Sequence, residues 1–417
     1  MNAVAPQPPA PDPWSVPLSA LHPGDPRRFE ANTHWEAFRR LRQEAPVHYT
    51  ADSPLFGAYW SVATYKEIMQ VENRPDVFSS DSIHGGISIR NRPADLRLPM
   101  FIAMDPPLHG GQRATVQPIA APTNVAKLEA TIRAHAVEIL EGLPRGEAFD
   151  WVDRVSIELT TRMLATLFDF PFEDRRLLPW WSDAATMLLQ PGAPLQTEDE
   201  REAVFVECLE YFTRLWNQRV NAEPRHDLIS MMAHSPATRN MTPREYLGNL
   251  ILLIVGGNDT TRNSITGGLL FLNRNPDQYA RLRANPGLAA GMVNEIIRYQ
   301  TPLAHMRRTA VTDFDLGGQM IRAGDKVVMW YVSANRDPGF IDEPDRFIID
   351  RKMPKKHLSF GFGIHRCVGE RLAELQLRVL WEEILARLPA IEVLEEPTRV
   401  LSSFVHGYRS MKVRIAT

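Results

Sequence analysis

Residues 360–369 are the stretch that decides the fold: Phe360-Gly361-Phe362-Gly363-Ile364-His365-Arg366-Cys367-Val368-Gly369. Three glycines surround one cysteine, and glycine allows a backbone to adopt left-handed conformations and to approach a flat ligand closely. A helical pattern follows the cysteine, and the free N–H groups at the start of a helix stabilise negative charge. A thiolate is therefore favoured at Cys367, and a thiolate can bind a metal ion.

The cysteine has other interpretations when it is considered alone. Most lone cysteines are small buried hydrophobic residues, and a cysteine beside a histidine can be a hydrolase nucleophile with its base. Zinc requires further cysteine or histidine ligands at short spacing, and only His357 and His365 lie nearby. A dinucleotide fingerprint does not fit, because its sixth position is Arg366 and no βαβ unit surrounds it. The interpretation that remains is a thiolate that binds a metal centre as its single protein ligand.

Composition indicates an ordinary globular protein of 417 residues, with 44% hydrophobic and 23% charged residues and a formal net charge of −3. This charge argues against a nucleic-acid-binding protein. Two distant cysteines, Cys208 and Cys367, make no disulfide framework, so we expect a reducing, cytoplasmic location. The longest apolar run, 250–257, is far shorter than the ~20 residues of a membrane span. We expect neither a signal peptide nor a membrane anchor.

Helical spacing dominates the middle of the chain. We predict helices over 126–143, 152–168, 178–189, 201–219, 288–299 and a long one from Thr242 to about Leu272. The long helix begins with Thr242-Pro243-Arg244-Glu245, a capping box with proline at the first helical position. Short strands are expected at 47–50, 58–62 and within 311–332. The predicted fold class is mainly α with small β-sheets, as one large domain over 27–417 behind a proline-rich arm over 1–26.

Two motifs within the helices add to this pattern. Gly256-Gly257-Asn258-Asp259-Thr260-Thr261 lies inside the long helix, where each glycine costs about 1 kcal/mol relative to alanine. The glycines are explained if a ligand or another helix packs there, although a plain kink is the simpler alternative. Glu295 and Arg298 lie three residues apart and can form an ion pair on one helix face.

Taken together, these motifs resemble the cytochrome P-450 family of haem-thiolate monooxygenases. The family's ligand loop is Phe-Gly-x-Gly-x-His-x-Cys-x-Gly, and residues 360–369 match every position. The remaining family motifs occur in the correct order over nearly the whole chain. The resemblance implies the cytochrome P-450 fold, haem b (iron protoporphyrin IX) as the cofactor and the Cys367 thiolate as its axial ligand.

The resemblance also assigns site residues. The implied haem-binding residues are His109, Arg113, Gly256, Arg308, Phe360, Gly361, His365, Cys367 and Gly369. Among these, His109, Arg113, Arg308 and His365 are expected to face the haem propionates. Asp259 and Thr260 match the acid–alcohol pair that supplies protons for oxygen activation. Glu295, Arg298 and Arg346 match a buried structural triad.

Electron donors and substrate follow from the same resemblance. No flavin or nicotinamide fingerprint is present, so we expect a separate ferredoxin and ferredoxin reductase, with O2 as co-substrate. Docking is expected near a basic cluster of Lys355, Lys356, Arg366, Arg371 and Arg378. The substrate is expected to be an apolar small molecule. The residues predicted to line its pocket are Ile87, Met187, Leu188, Leu252, Val255, Leu303, Ala304, Phe404 and Val405.

The segments 256–264 and 301–308 resemble those of bacterial terminal alkane and fatty-acid hydroxylases. We therefore expect hydroxylation of linear alkanes or fatty acids at the chain end. The alternatives are a terpene or steroid hydroxylase of the same family, a peroxide-driven peroxygenase and a non-catalytic haem sensor. A peroxygenase is expected to lack the acid–alcohol pair, which this sequence has at Asp259 and Thr260.

Overall fold

The structure is a computed structural model, and it describes residues 10–417. Residues 1–9 of the predicted proline-rich arm lie outside the described residues. The rest of the arm, 10–26, packs against the helices that follow it: for example, Arg28 Nη2 donates to the Pro11 carbonyl at 2.7 Å. The division of the chain into an arm and a domain stays a prediction.

Helices make up most of the described chain. The α-helices are α1 Pro26–Glu30, α2 His34–Glu44, α3 Tyr65–Glu72, α4 Leu108–Val116, α5 Pro122–Glu141, α6 Glu158–Phe168, α7 Leu177–Thr186, α8 Glu198–Arg219, α9 Leu228–His234, α10 Pro243–Arg274, α11 Pro276–Ala284, α12 Ala289–Gln300, α13 Tyr331–Ala334 and α14 Glu370–Arg387. A π-helical segment, Val152–Ile157, leads into α6. None of the helices in residues 10–417 is long and apolar enough to cross a membrane.

Four small sheets complete the fold. Their strands are β1 Val47–Thr50, β2 Tyr59–Val62, β3 Phe78–Ser79, β4 Ala148–Asp150, β5 Met306–Ala310, β6 Phe314–Leu316, β7 Gln319–Ile321, β8 Lys326–Met329, β9 Ile391–Val393, β10 Thr398–Arg399, β11 Tyr408–Ser410 and β12 Lys412–Ile415. The largest sheet has the order β1-β2-β8-β5-β3, and the others pair β4-β12-β9, β10-β11 and β6-β7. Only β2 and β8 run parallel. The predicted class, mainly α with small sheets, is confirmed.

The long central helix α10 organises the core. Its capping box forms as predicted, since the Thr242 hydroxyl accepts from the Glu245 N–H and the Glu245 carboxylate accepts from the Thr242 N–H. The helix packs against α6, α7, α12 and α14. A Cβ on Gly268 would lie 2.7 Å from Ile296 Cδ1, so the absence of a side chain there allows α10 and α12 to approach closely.

Several predicted boundaries are wrong. Helix α5 begins at Pro122 rather than at residue 126, and α8 begins at Glu198 rather than at residue 201. The helix predicted over 178–189 ends at Thr186, because side chains from elsewhere bind its last carbonyls: Arg90 donates to the Ala185 and Thr186 carbonyls, and both Arg90 and Arg201 donate to the Met187 carbonyl. Within 311–332, the last two residues belong to helix α13 rather than to a strand.

Candidate active site

The cysteine loop, residues 360–369, leads into α14 and is held together by a hydrogen bond between its own backbone groups. The Cys367 N–H donates to the Phe360 carbonyl at 2.8 Å, and Gly361 and Gly363 have φ angles of 66° and 65°. L-residues with side chains rarely adopt such angles, so both positions favour glycine. This geometry places Cys367 just before the first turn of α14.

Cys367 opens onto a large cavity of about 350 Å³, and the surface that this residue exposes belongs to the cavity wall. The other cysteine, Cys208, is fully buried in the packed core and does not line the cavity. Burial raises the pKa of the Cys367 thiol, while the Gly369 N–H, Arg113 and Arg366 oppose that shift. Of the two cysteines, only Cys367 can reach a ligand in this cavity.

The four predicted propionate partners all line the same cavity: His109, Arg113, Arg308 and His365. The His109 and His365 rings meet edge to face at 4.4 Å, and the Nε2 of His109 and the Nδ1 of His365 are buried without a partner. Burial lowers the pKa of both imidazoles, that of His365 to about 2. Neutral imidazoles with free ring nitrogens, beside two guanidinium groups, suit an anionic group in the cavity.

The two glycines in the middle of α10 have different surroundings. A Cβ on Gly256 would meet nothing within 4 Å, whereas a Cβ on Gly257 would lie 2.6 Å from Leu164 Cδ2. Gly256 therefore leaves open space in the cavity, and Gly257 allows α6 to pack closely against α10. Each glycine thus supports a different explanation: Gly256 leaves space for a ligand, and Gly257 allows a close contact between helices.

The acid–alcohol pair is divided between the cavity and the core. Thr260 lines the cavity, and its hydroxyl donates to the Gly256 carbonyl at 2.8 Å. Asp259 is fully buried and does not line the cavity; Arg262 contacts it at 2.8 Å and also reaches the half-exposed Asp183 at 2.7 Å. Burial raises the pKa of Asp259 to about 6, and Arg262 counteracts part of that rise.

Thr186 is a residue that the sequence did not single out. It lines the cavity, and its hydroxyl lies 3.4 Å from the other carboxylate oxygen of Asp259. No local motif marks it, because its position depends on where α7 ends against α10. A hydroxyl thus lies between the buried acid and the cavity.

Five of the nine predicted pocket residues line the cavity: Ile87, Leu252, Val255, Leu303 and Phe404. The other four do not. Met187 and Leu188 follow the early end of α7, and Ala185 and Thr186 line the wall in their place. Ala304 and Val405 are buried outside the cavity; Ala304 follows Leu303 in extended chain, where successive side chains point to opposite faces.

The structural triad forms with a different third member. Glu295 and Arg298 are buried and joined by two hydrogen bonds of 2.8 Å, as expected. The second arginine is Arg351, whose Nε lies 2.9 Å from Glu295 Oε2. Arg346 is instead exposed and pairs with Glu343. Arg346 contributes its backbone carbonyl, which accepts hydrogen bonds from Arg298 and Arg351. The prediction that its side chain is the third member of the triad was therefore wrong.

The basic cluster is largely neutralised by neighbouring acids. Its ion pairs join Lys355 to Glu374, Arg366 to Glu370, and Arg378 to Glu382 and Glu129. Lys356 lies over the Phe340 ring at 3.9 Å. Within residues 10–417, Arg371 is exposed and has no acidic group within 4 Å.

Comparison with known proteins identifies the family. The family model Cytochrome P450 matches residues 287–398. Linalool 8-monooxygenase of Pseudomonas putida is 36% identical over 388 residues, which cover 91% of this chain and 94% of that protein. The chain belongs to the cytochrome P450 family. A methyl-branched lipid omega-hydroxylase of Mycobacterium bovis is 34% identical over 393 residues, 90% of each chain.

Solved structures of cytochromes P450 agree with this assignment. Cytochrome P450-153 from Novosphingobium aromaticivorans is 48% identical, covers 97% of this chain and 99% of its own, and superposes with a TM-score of 0.89. The chain is therefore a bacterial-type P450 monooxygenase, and the family cofactor is haem with a cysteine axial ligand.

The residues present fit that cofactor. A cavity with a single cysteine thiol, open space at Gly256 and unpaired imidazole nitrogens beside guanidinium groups matches a flat ligand with a metal centre and carboxylates. Cys367 would hold the iron, and the four basic residues would hold the propionates. When bound, thiolate-ligated haem supplies the activation of dioxygen.

Proposed function

We propose that this P450 hydroxylates linear alkanes or fatty acids at or near the chain end. The observation that carries the proposal is the shape and chemistry of the cavity. The wall near α10 is mainly aliphatic and aromatic, with Leu252, Val255 and Phe404 among its residues. Its polar members are several arginines and the hydroxyl groups of Thr186, Thr260, Thr261 and Ser264. A wall of this kind binds hydrocarbon and offers few groups that would recognise polar substituents.

Relatives support attack at a chain end. One relative carries the name methyl-branched lipid omega-hydroxylase, and omega denotes the terminal carbon. Terminal C–H bonds are stronger than inner ones, so a terminal product requires the protein to exclude the inner carbons from the reacting position. We assign that restriction to Leu303 and to the α10 face at 252–256.

Within this proposal, the chain's own residues have separate tasks. Cys367 binds the iron; His109, Arg113, Arg308 and His365 hold the propionates. Thr260 orients a proton donor at the cavity wall, and Asp259 with Thr186 provides a route by which protons leave the buried acid. Electrons come from a separate ferredoxin and its reductase.

A terpene hydroxylase is the second candidate, because another relative is named linalool 8-monooxygenase. Substrate-binding difference spectra of the haem-loaded protein distinguish the two. We expect linear alkanes and fatty acids to bind with submicromolar to micromolar affinity and to shift the Soret band, and terpenes and steroids of similar size to bind more weakly. The reverse order of affinity contradicts the proposal and favours the terpene alternative.

A further inference from the structure

A buried carboxylate lies behind the cavity wall. Glu72, the last residue of α3, is 4% exposed and does not line the cavity. Arg308 does line it, and its Nη2 donates to Glu72 Oε2 at 2.9 Å. The hydroxyl of Tyr331, another wall residue, donates to the second oxygen of the same carboxylate. The Glu72 carboxylate is thus hydrogen-bonded to two residues of the cavity wall, Arg308 and Tyr331.

The same residue contacts the cysteine loop. A Cβ on Gly363 would lie 2.7 Å from the Glu72 carbonyl oxygen, and a Cβ on Gly361 would lie 3.7 Å from Glu72 Oε1. Both glycines have positive φ angles. The carboxylate is thus enclosed between the loop that carries Cys367 and the strand β5 that carries Arg308.

Stability alone does not account for this arrangement. Removing two charges from water costs about as much as their attraction returns, so an apolar pair of similar volume is often equally stable. The pair has a direct electrostatic effect, however, because Glu72 compensates the charge that Arg308 presents to the cavity. Arg113, the other guanidinium proposed for the propionates, has no acidic group within 4 Å in the described chain.

We propose that Glu72 is a positioning residue that acts through Arg308 to lower the reduction potential of the bound haem. A buried negative charge near the iron stabilises its oxidised state relative to its reduced state, and burial limits screening by solvent. The proposal rests on the propionate role assigned to Arg308 and is independent of the substrate.

The variant Glu72→Gln tests this proposal, because glutamine preserves the shape and an acceptor for Arg308 while it removes the charge. Spectroelectrochemical titration of the substrate-free, haem-loaded protein should show reduction favoured at least threefold more than in the wild type. At 59 mV per tenfold for one electron, threefold corresponds to about 28 mV upward. Retention of the thiolate band in the reduced carbon monoxide complex verifies that the ligand is unchanged.

Two controls separate electrostatics from folding. Glu67→Gln removes the same charge from the same helix, outside this cluster, and should leave the potential unchanged. Glu72→Asp keeps the charge and should restore most of the wild-type potential. A residue that only supports the fold would lower the melting temperature in both Glu72 variants without moving the potential.

The proposal is overturned if Glu72→Gln leaves the potential unchanged or lowers it, or if Glu72→Asp raises it as much as Glu72→Gln does. If Glu72→Gln does not retain haem, the reduction potential of Tyr331→Phe tests the proposal instead. Loss of the tyrosine hydroxyl leaves the carboxylate charge less compensated, so the potential should fall, and an unchanged or higher potential contradicts the proposal. Failure of the terminal hydroxylation proposal would appear in substrate binding and in the products, and it would leave these substrate-free potentials as they are.

Discussion

Buried charged side chains hold the segment at 342–346 in place. Glu295 is fully buried and bonds two arginines, Arg298 and Arg351, which in turn bind backbone carbonyls of the loop at 342–346. A buried charge that loses one partner becomes strongly destabilising. The stabilising effect of the triad therefore depends on all of its buried bonds being formed, more than on any single ion pair.

Replacing the two candidate arginines separately tests the corrected triad. Arg351→Ala should lower the free energy of unfolding by about 3 kcal/mol, because it leaves Glu295 with an incomplete set of buried bonds. Arg346→Ala, whose side chain is exposed, should cause no measurable change. Denaturant unfolding of the two haem-loaded variants measures the difference, and a larger loss for Arg346→Ala would restore the triad predicted from sequence.

Thr260 offers a second residue-scale test, of proton delivery. In Thr260→Val, consumption of NADH and O2 should continue while product per NADH falls severalfold and free hydrogen peroxide rises, because the Thr260 hydroxyl is removed from the cavity wall. Thr260→Ser keeps the hydroxyl and serves as the matched control. If Thr260→Val couples electrons to product as well as Thr260→Ser does, Thr260 has no part in proton delivery.

The sequence predicted some of these residues and not others for a physical reason. The cysteine loop and the pair Glu295–Arg298 are local, since their geometry depends on neighbours within a few positions. Arg351 and Glu72 are recognisable only once distant segments fold together: Arg351 lies 56 positions from Glu295, and Glu72 lies 236 positions from Arg308. Rules based on residue spacing do not relate residues so far apart in the sequence.

Among the elements, α10 carries the acid–alcohol pair and part of the cavity wall. Its start is a capping box, which the sequence predicted correctly because capping depends on four consecutive residues. The end of α7 could not be predicted in the same way, because arginines from other segments bind its last carbonyls. The pocket predictions at Met187 and Leu188 failed for that reason.

The neighbouring glycines of α10 give a matched test of the helix. In the haem-free protein, Gly256→Ala should raise the free energy of unfolding by about 1 kcal/mol, since alanine favours helix and its Cβ meets no protein atom within 4 Å. In Gly257→Ala the Cβ displaces the buried Leu164, which should cancel that gain or reverse it. Chemical unfolding compares them, and equal stabilisation by both substitutions would contradict the proposed close contact between α6 and α10.

At the scale of the whole molecule, we expect electrons to enter from a partner protein that docks near the cysteine loop. Ion pairs already compensate most of the basic cluster, so Arg371 should dominate the attraction of an acidic ferredoxin. Arg371→Gln should slow reduction by ferredoxin several-fold at low salt and weaken its salt dependence, measured by stopped flow. Lys355→Gln, whose charge is paired with Glu374, should change the rate little. If Lys355→Gln slows reduction more than Arg371→Gln does, Arg371 does not dominate ferredoxin docking.

Under the proposed function, the product depends on how the complete cavity holds a linear chain. The central claim is that its walls present the end of a linear hydrocarbon to the reacting position and exclude the inner carbons. Enlarging the wall by Leu303→Ala should allow the chain to advance and should shift the product from the terminal towards inner positions.

Gas-chromatographic analysis of the alcohols formed by the reconstituted enzyme tests this claim most directly. For medium and long linear alkanes and fatty acids, we expect the terminal alcohol as the main product of the wild type and a larger share of inner alcohols from Leu303→Ala. The claim is contradicted if linear chains yield no alcohol, or only inner alcohols, while a terpene or steroid is hydroxylated.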